Sequence, residues 1–70
     1  MRYAVVIEKA ENNYSAYVPD LPGCVAIGAT VEETEQLIRE AMKLHLTGLR
    51  QDGLSIPQPS SQVDYVEIAG

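Results

Sequence analysis

Residues 17–34, with the sequence Y-V-P-D-L-P-G-C-V-A-I-G-A-T-V-E-E-T, constrain the fold more than any other stretch of the chain. Pro22 sets φ for the second position of a β-turn, and Gly23 supplies the positive φ of the third position. A type II turn is therefore predicted between a strand that runs into Pro19 and a strand that begins at Cys24. The chain reverses its direction at this point.

The same stretch predicts the start of a helix. Thr30 has the character of an N-cap, and the Glu33 side chain is placed to reach back to the Thr30 N–H in a capping box. From about residue 31 to about residue 51, apolar residues recur at helical spacing along one broad arc. Gly53 then stands where a glycine commonly follows the end of a helix. One long amphipathic helix is predicted.

Alternating and apolar segments predict four strands around this helix. The first covers residues 1–8 and has apolar residues on both faces, which is typical of a central strand. Residues 11–13 form a turn in which asparagine adopts the left-handed conformation, and residues 14–19 return antiparallel. The third strand covers residues 24–29, and the fourth covers residues 63–68.

The element order is thus β-β-β-α-β, an α+β fold in a single domain of residues 1–70. A right-handed crossover through the helix would place the fourth strand beside the first, in the spatial order 3-2-1-4. One helix covers only one face of such a sheet. The other face would carry some of the apolar and aromatic residues of the strands, which predicts association into a dimer or higher oligomer. The candidates for that face are Tyr3, Tyr14, Tyr17, Val63 and Tyr65.

Charge and cysteine content narrow the classes of function. Ten acidic and five basic residues give a formal charge of −5, which is poorly suited to direct contact with a nucleic acid backbone. A basic protein partner fits better, although negative charge also simply favours solubility. The single cysteine, Cys24, has no partner for a disulfide, so a reducing cytoplasmic location is expected. No segment has the length of a membrane span.

The candidates for catalysis are weak. Cys24 and His45 are more typical of core packing than of a nucleophile and its base. Glu8, Glu35 and Asp64 suggest a metal-dependent nuclease if the fold brings them together, but they also fit outward-facing positions on strands and helix. No spacing indicates a zinc site, a phosphate loop or any cofactor. We expect a protein that is not an enzyme, with the nuclease as the alternative.

Longer motifs resemble a known family. The run from Tyr14 to Thr34, the helix segment E-A-M-K-L-H-L-T-G-L-R-Q-D-G from Glu40 to Gly53 and the following I-P-Q-P-S resemble the N-terminal domain of HicB antitoxins. The likeness covers nearly the whole chain. It implies a partial RNase H-like β-β-β-α-β fold. It also implies a function, which is to neutralise HicA, a small basic toxin that cleaves mRNA, by direct binding.

The HicB resemblance leads to further expectations. Many HicB proteins carry a C-terminal DNA-binding module that residues 1–70 lack, so no direct DNA binding is expected. Four residues are predicted to contact the partner from their exposure and position: Tyr17, Asp20, Leu21 and Glu35. A structural oligomerisation domain without a toxin partner remains a second alternative.

Overall fold

Three antiparallel strands and one helix form the regular structure in a computed structural model, which describes all residues 1–70. The strands are β1 (Val6–Lys9), β2 (Tyr14–Tyr17) and β3 (Val25–Gly28), and they precede the helix α1 (Val31–Gln51). The α+β class and the β-β-β-α part of the predicted order are confirmed. The observed strands are shorter than the predicted ones at one or both ends.

Helix α1 begins and ends where the local signals place it. Thr30 is the N-cap, and its side-chain oxygen accepts a hydrogen bond from the Glu33 N–H at 3.0 Å. The Glu33 carboxylate accepts from the Ala29 N–H at 2.7 Å, one residue earlier than the predicted Thr30 N–H. Gly53 ends the helix with φ of +69°. Local capping chemistry thus sets both helix boundaries.

Two turns connect the strands. In the β1–β2 loop the Ala10 N–H donates to the Asn13 carbonyl at 2.8 Å, and no residue other than glycine has a positive φ. The predicted left-handed asparagine was therefore wrong, because a four-residue loop can close without one. Between β2 and β3, the Cys24 N–H donates to the Leu21 carbonyl at 3.1 Å and Gly23 has φ of +85°. The predicted type II turn is confirmed.

The sheet has the order β1-β2-β3, so β2 is central and β1 lies at an edge. The predicted central position of the first strand is not observed. The reason is that residues 63–68, the predicted fourth strand, form no strand and pair with no other segment of the chain. Apolar residues on both faces indicate that both faces of a strand can be covered by other parts of the protein. They do not indicate which segments cover them.

A small core lies between the sheet and one face of α1. The helix crosses mainly β3 and β2, and covers β1 less. Five apolar residues form the buried cluster, and Thr34 is buried beside them. The cluster consists of Ala16, Val18, Leu21, Cys24 and Ile38. Because so few side chains are fully buried, partly covered neighbours contribute much of the packing.

Beyond α1 the chain has no regular structure. Residues 54–62, here called the connector, run back past the start of the first strand, where the Tyr3 hydroxyl donates to the Pro57 carbonyl. Residues 63–68, here called the tail, are exposed throughout. The radius of gyration is 13.8 Å, whereas a compact chain of this length has about 11 Å. The molecule is therefore elongated.

Candidate protein interface

The face of the sheet that turns away from α1 carries exposed apolar side chains. Side chains alternate between the two faces of a strand. Ala26 packs against the core, and its neighbours Val25 and Ile27 are 63% and 64% exposed. Likewise Ala16 is buried, whereas Tyr17 is exposed. We call the surface formed by Val6, Tyr17, Val25 and Ile27 the open face.

The strand register aligns three members of the open face. Val6 lies opposite Tyr17, and Tyr17 lies opposite Val25. Directly opposed residues have their Cβ atoms about 4.5–5.5 Å apart, so the three side chains form one continuous row. Single exposed apolar residues are ordinary, but a contiguous group is typical of a contact surface. The row can anchor a protein partner through apolar contact.

The turn next to this row contains Asp20, whose carboxylate is fully engaged within the chain. It accepts hydrogen bonds from the backbone N–H groups of Ser60 and Ser61, at 2.9 and 3.0 Å, and from their hydroxyls, at 3.0 and 2.8 Å. Donation from Ser61 and then Ser60 lowers the pKa of Asp20 from 3.8 to about 2. Asp20 thus stays ionised and fastens the connector to the β2–β3 turn.

The four predicted contact residues do not form one surface. Tyr17 lies on the open face, and Asp20 is occupied by the two serines of the connector. The Leu21 side chain is 0% exposed in the core, so it can only position its neighbours in this conformation. Glu35 is exposed on the helix, across the sheet from the open face. Their roles at an interface stay predictions.

Sequence reasoning missed Val25 and Ile27 as members of the exposed surface. The signal that could have identified them is the alternation of β3, in which Cys24, Ala26 and Gly28 face the helix. Of the tyrosines considered for the exposed face, Tyr3 packs against the core, and Tyr14 lies opposite the buried Gly28, on the helix side. In β3 and just before it, the small size of Cys24, Ala26 and Gly28 distinguishes the covered face from the open one.

A groove lies on the other side of the sheet, between β1 and α1. It has a volume of about 460 Å³ and exists because the helix covers β1 less than the other strands. Its lining is mainly apolar, with Glu35 and Arg39 of the helix as the charged members. The apolar lining consists of Tyr3, Val5, Ile7, Ile38 and Met42. The edge strand is thus incompletely covered on the helix side.

The side chains considered for catalysis lie in other settings. Cys24 is buried in the core, where burial raises the pKa of its thiol. Neither Cys24 nor His45 takes part in a side-chain hydrogen bond, so the structure does not join them as a nucleophile and base. No three His, Cys, Asp or Glu side chains converge on a possible metal position, so Glu8, Glu35 and Asp64 stay apart.

The only helix of the chain, α1, lacks the combination of length and apolar character needed to cross a membrane.

Comparison with known proteins gives one consistent family. Residues 3–69 match the family model described as the HicB-like antitoxin of bacterial toxin–antitoxin systems. A UPF0150 protein of Helicobacter pylori is 45% identical over 65 residues, covering 91% of this chain and 90% of that protein. A UPF0150 protein of Thermoplasma acidophilum is 35% identical, covering 89% of this chain and 91% of that protein.

A longer relative comes from the Haemophilus phage HP1. It is a 14.9 kDa uncharacterised protein of the rep-hol intergenic region, and it is 33% identical over 66 residues. The match covers 94% of this chain and 50% of the phage protein, so the chain spans half the length of that relative.

Proposed function

Since the chain belongs to the HicB-like antitoxin family of bacterial toxin–antitoxin systems, we propose that it neutralises a small basic toxin of the HicA type by binding it directly. The toxin is the kind of partner that the family implies. The proposed role is that of an interaction protein without a catalytic site of its own.

The observation that carries the proposal is the open face. Its row of Val6, Tyr17 and Val25 is aligned across three strands, with Tyr17 and Val25 exposed and Val6 half-buried in the single chain. Tyrosine is enriched among the residues that dominate binding energy at protein interfaces. A partner that covers this row would remove a contiguous apolar surface from water, which favours association.

Charge supports the choice of a basic partner. The chain has a formal charge of −5, and opposite charge raises the rate at which two proteins meet. Glu35 is exposed and available to contribute to this attraction. Asp20 contributes its charge while it holds the two connector serines, so its main proposed effect on a partner is electrostatic.

The test is co-expression with the neighbouring reading frame. We expect that frame to encode a small basic protein whose toxicity is relieved by this chain and which co-purifies with it. Val25→Arg places a cation in the exposed row, so we expect at least a tenfold loss of affinity. The matched control is Leu44→Arg, which alters a helix residue that is 75% exposed and lies away from the open face.

Two results contradict the proposed function, and a third contradicts the assigned binding surface. The first is a neighbouring frame that encodes no small basic protein, and the second is such a protein that neither binds nor is neutralised. The third is a pair of variants, Val25→Arg and Leu44→Arg, that bind the toxin equally well. The third result would retain an antitoxin role but remove the open face as its binding surface.

Catalysis can be checked separately. We propose that the purified chain is inert toward RNA in the presence of Mg²⁺ or Mn²⁺, because Glu8, Glu35 and Asp64 do not converge. Cleavage that disappears in Asp64→Asn would favour the nuclease alternative instead. If the chain binds no toxin but associates stably with itself, the result would favour a structural oligomerisation domain.

The finer assignments that accompany this function are also proposals. The β-β-β-α order supports a partial RNase H-like fold, which requires a fourth strand beside β1. The open face and the incompletely covered β1 edge support a homo-oligomer. A cytoplasmic location and the absence of direct DNA binding stay predictions.

A further inference from the structure

The tail, residues 63–68, has the composition of a strand but lacks a partner. No backbone–backbone hydrogen bond involves it, and its one hydrogen bond joins the Tyr65 N–H to the neighbouring Asp64 carboxylate. Tyr65, Val66 and Ile68 are 91%, 76% and 81% exposed. Leaving three large apolar side chains in water is unfavourable, and β-branched and aromatic residues fit a pleated surface.

The free edge of β1 offers what the tail lacks. β1 pairs only with β2, so the backbone groups along its other edge have no sheet partner. A strand added there would meet apolar residues on both sides of the sheet. On the helix side lies the groove lined by Tyr3, Val5 and Ile7, and Val6 lies on the open face.

The tail matches this edge in pattern and in charge. Alternation places Val66 and Ile68 on one of its faces and Val63 and Tyr65 on the other. The tail carries two acidic residues and no basic one, whereas residues 1–9 carry Arg2 and Lys9 against the single acid Glu8. Opposite charges on neighbouring strands stabilise the pairing.

We propose that the tail of each chain adds as a strand to the β1 edge of a second copy. The exchange is reciprocal, as two-fold symmetry requires, and each sheet gains a fourth strand from the other molecule. In each sheet β1 then lies between β2 and the partner's tail. The proposal concerns self-association alone and does not depend on a toxin partner.

The position of the tail favours a second copy over the chain's own edge. The longest dimension of the molecule is 49 Å and its radius of gyration is 13.8 Å, against about 11 Å for a compact chain of this length. The chain passes beside residues 2–4 at Ser61–Val63, but an open space of about 400 Å³ separates the two segments. Asp20 holds the base of the tail in this position. The tail is therefore within reach of another molecule while its own edge stays free.

The first test measures the mass of the full chain by light scattering at micromolar concentration. We expect a dimer for the parent chain and a monomer for the tail variant Val66→Lys/Ile68→Lys, with at least a tenfold higher dissociation constant. The matched control is Leu54→Lys, which alters an exposed apolar residue of the connector. It should remain dimeric.

The second test uses complementation. The edge variant Ala4→Pro alters the segment just before β1, which faces Ser61–Val63 across the open space. It removes a backbone N–H that takes part in no backbone hydrogen bond of the single chain, and proline at this place opposes addition of a strand along β1 and the residues before it. The edge variant alone and the tail variant alone should each be monomeric. A mixture of the two should form a heterodimer, because the tail variant supplies an intact edge and the edge variant supplies an intact tail.

Hydrogen exchange keeps the proposal testable if the edge variant does not fold. We expect the amides of residues 63–68 to be protected in the parent chain and the protection to fall on dilution. A monomeric parent, a tail variant that remains dimeric, or tail protection that does not depend on concentration would each overturn the proposal. The last result would indicate that the tail pairs with its own β1.

Discussion

Gly28 and Thr34 approach so closely that a Cβ on the glycine would lie 2.5 Å from Thr34 Oγ1 and 2.8 Å from the Thr34 backbone nitrogen. Only two residues join β3 to α1, so the strand end and the first helical turn are held together. Gly28→Ala should destabilise the fold by about 1–3 kcal/mol, as overpacking of a tight site does. Urea unfolding at a fixed protein concentration measures this change in unfolding free energy.

Gly48 is the matched control for that substitution. It lies within α1, and a Cβ built on it meets no atom within 4 Å. Gly48→Ala should therefore stabilise the protein by about 0.5–1 kcal/mol, because alanine loses less backbone entropy in a helix. Changes of equal size and sign in the two variants would contradict the close approach at Gly28.

The N-cap of α1 gives a second prediction. Thr30→Ala removes the side-chain oxygen that accepts from the Glu33 N–H, so we expect a loss of about 1 kcal/mol in unfolding free energy. Thr47→Ala, on the exposed face of the same helix, should instead be neutral or slightly stabilising. Unchanged stability of Thr30→Ala would show that the helix start does not depend on this cap.

The lowered pKa of Asp20 predicts a specific pH dependence of the protein's stability. Hydrogen bonds from Ser61 and Ser60 lower its pKa from 3.8 to about 2 in the folded state. A carboxyl whose pKa is lowered by folding contributes stability above its unfolded value, and this contribution is lost as the pH falls from 3.8 to about 2. Asp20→Asn should be less stable than the parent at neutral pH, and the difference should shrink across that window.

Denaturation at stepped pH values measures the Asp20 effect. Glu11→Gln, in the β1–β2 loop, is the control for loss of a carboxyl group. The difference in stability between this variant and the parent should not narrow as the pH falls. Nuclear magnetic resonance titration of the Asp20 carboxyl checks the lowered pKa directly. A stability difference between parent and Asp20→Asn that is constant from pH 5 to pH 2 would exclude the assigned hydrogen bonds.

Cys24 yields a prediction about reactivity. Its thiol is buried, and burial raises its pKa, so the reactive thiolate is scarce in the folded protein. We expect a disulfide reagent to modify Cys24 at least tenfold more slowly in the native protein than in the urea-unfolded protein. A native rate equal to the unfolded rate would place the thiol outside the core.

The parts of the fold that were predicted correctly have local causes. The type II turn follows from Pro22 and Gly23, which are adjacent, and the helix start follows from Thr30 and Glu33. Backbone conformations of this kind depend on neighbours in sequence. They can therefore be inferred from short motifs.

The parts that sequence analysis missed depend on distant residues. Asp20 receives its hydrogen bonds from Ser60, 40 positions away, and nothing near either residue indicates the pairing. The complete burial of the Leu21 side chain likewise depends on core residues that are distant in sequence, such as Ile38. The composition of residues 63–68 indicates a strand, but they form none here, because strand formation needs a partner that the segment's own pattern does not specify.

The hydrogen bonds between Asp20 and residues 60–61 also constrain the order of events after synthesis. The β1–β2 hairpin and α1 consist of short-range interactions, which form early, whereas this clamp closes a loop of about forty residues. The base of the tail is therefore fixed late in folding, after the hairpin and the helix have formed.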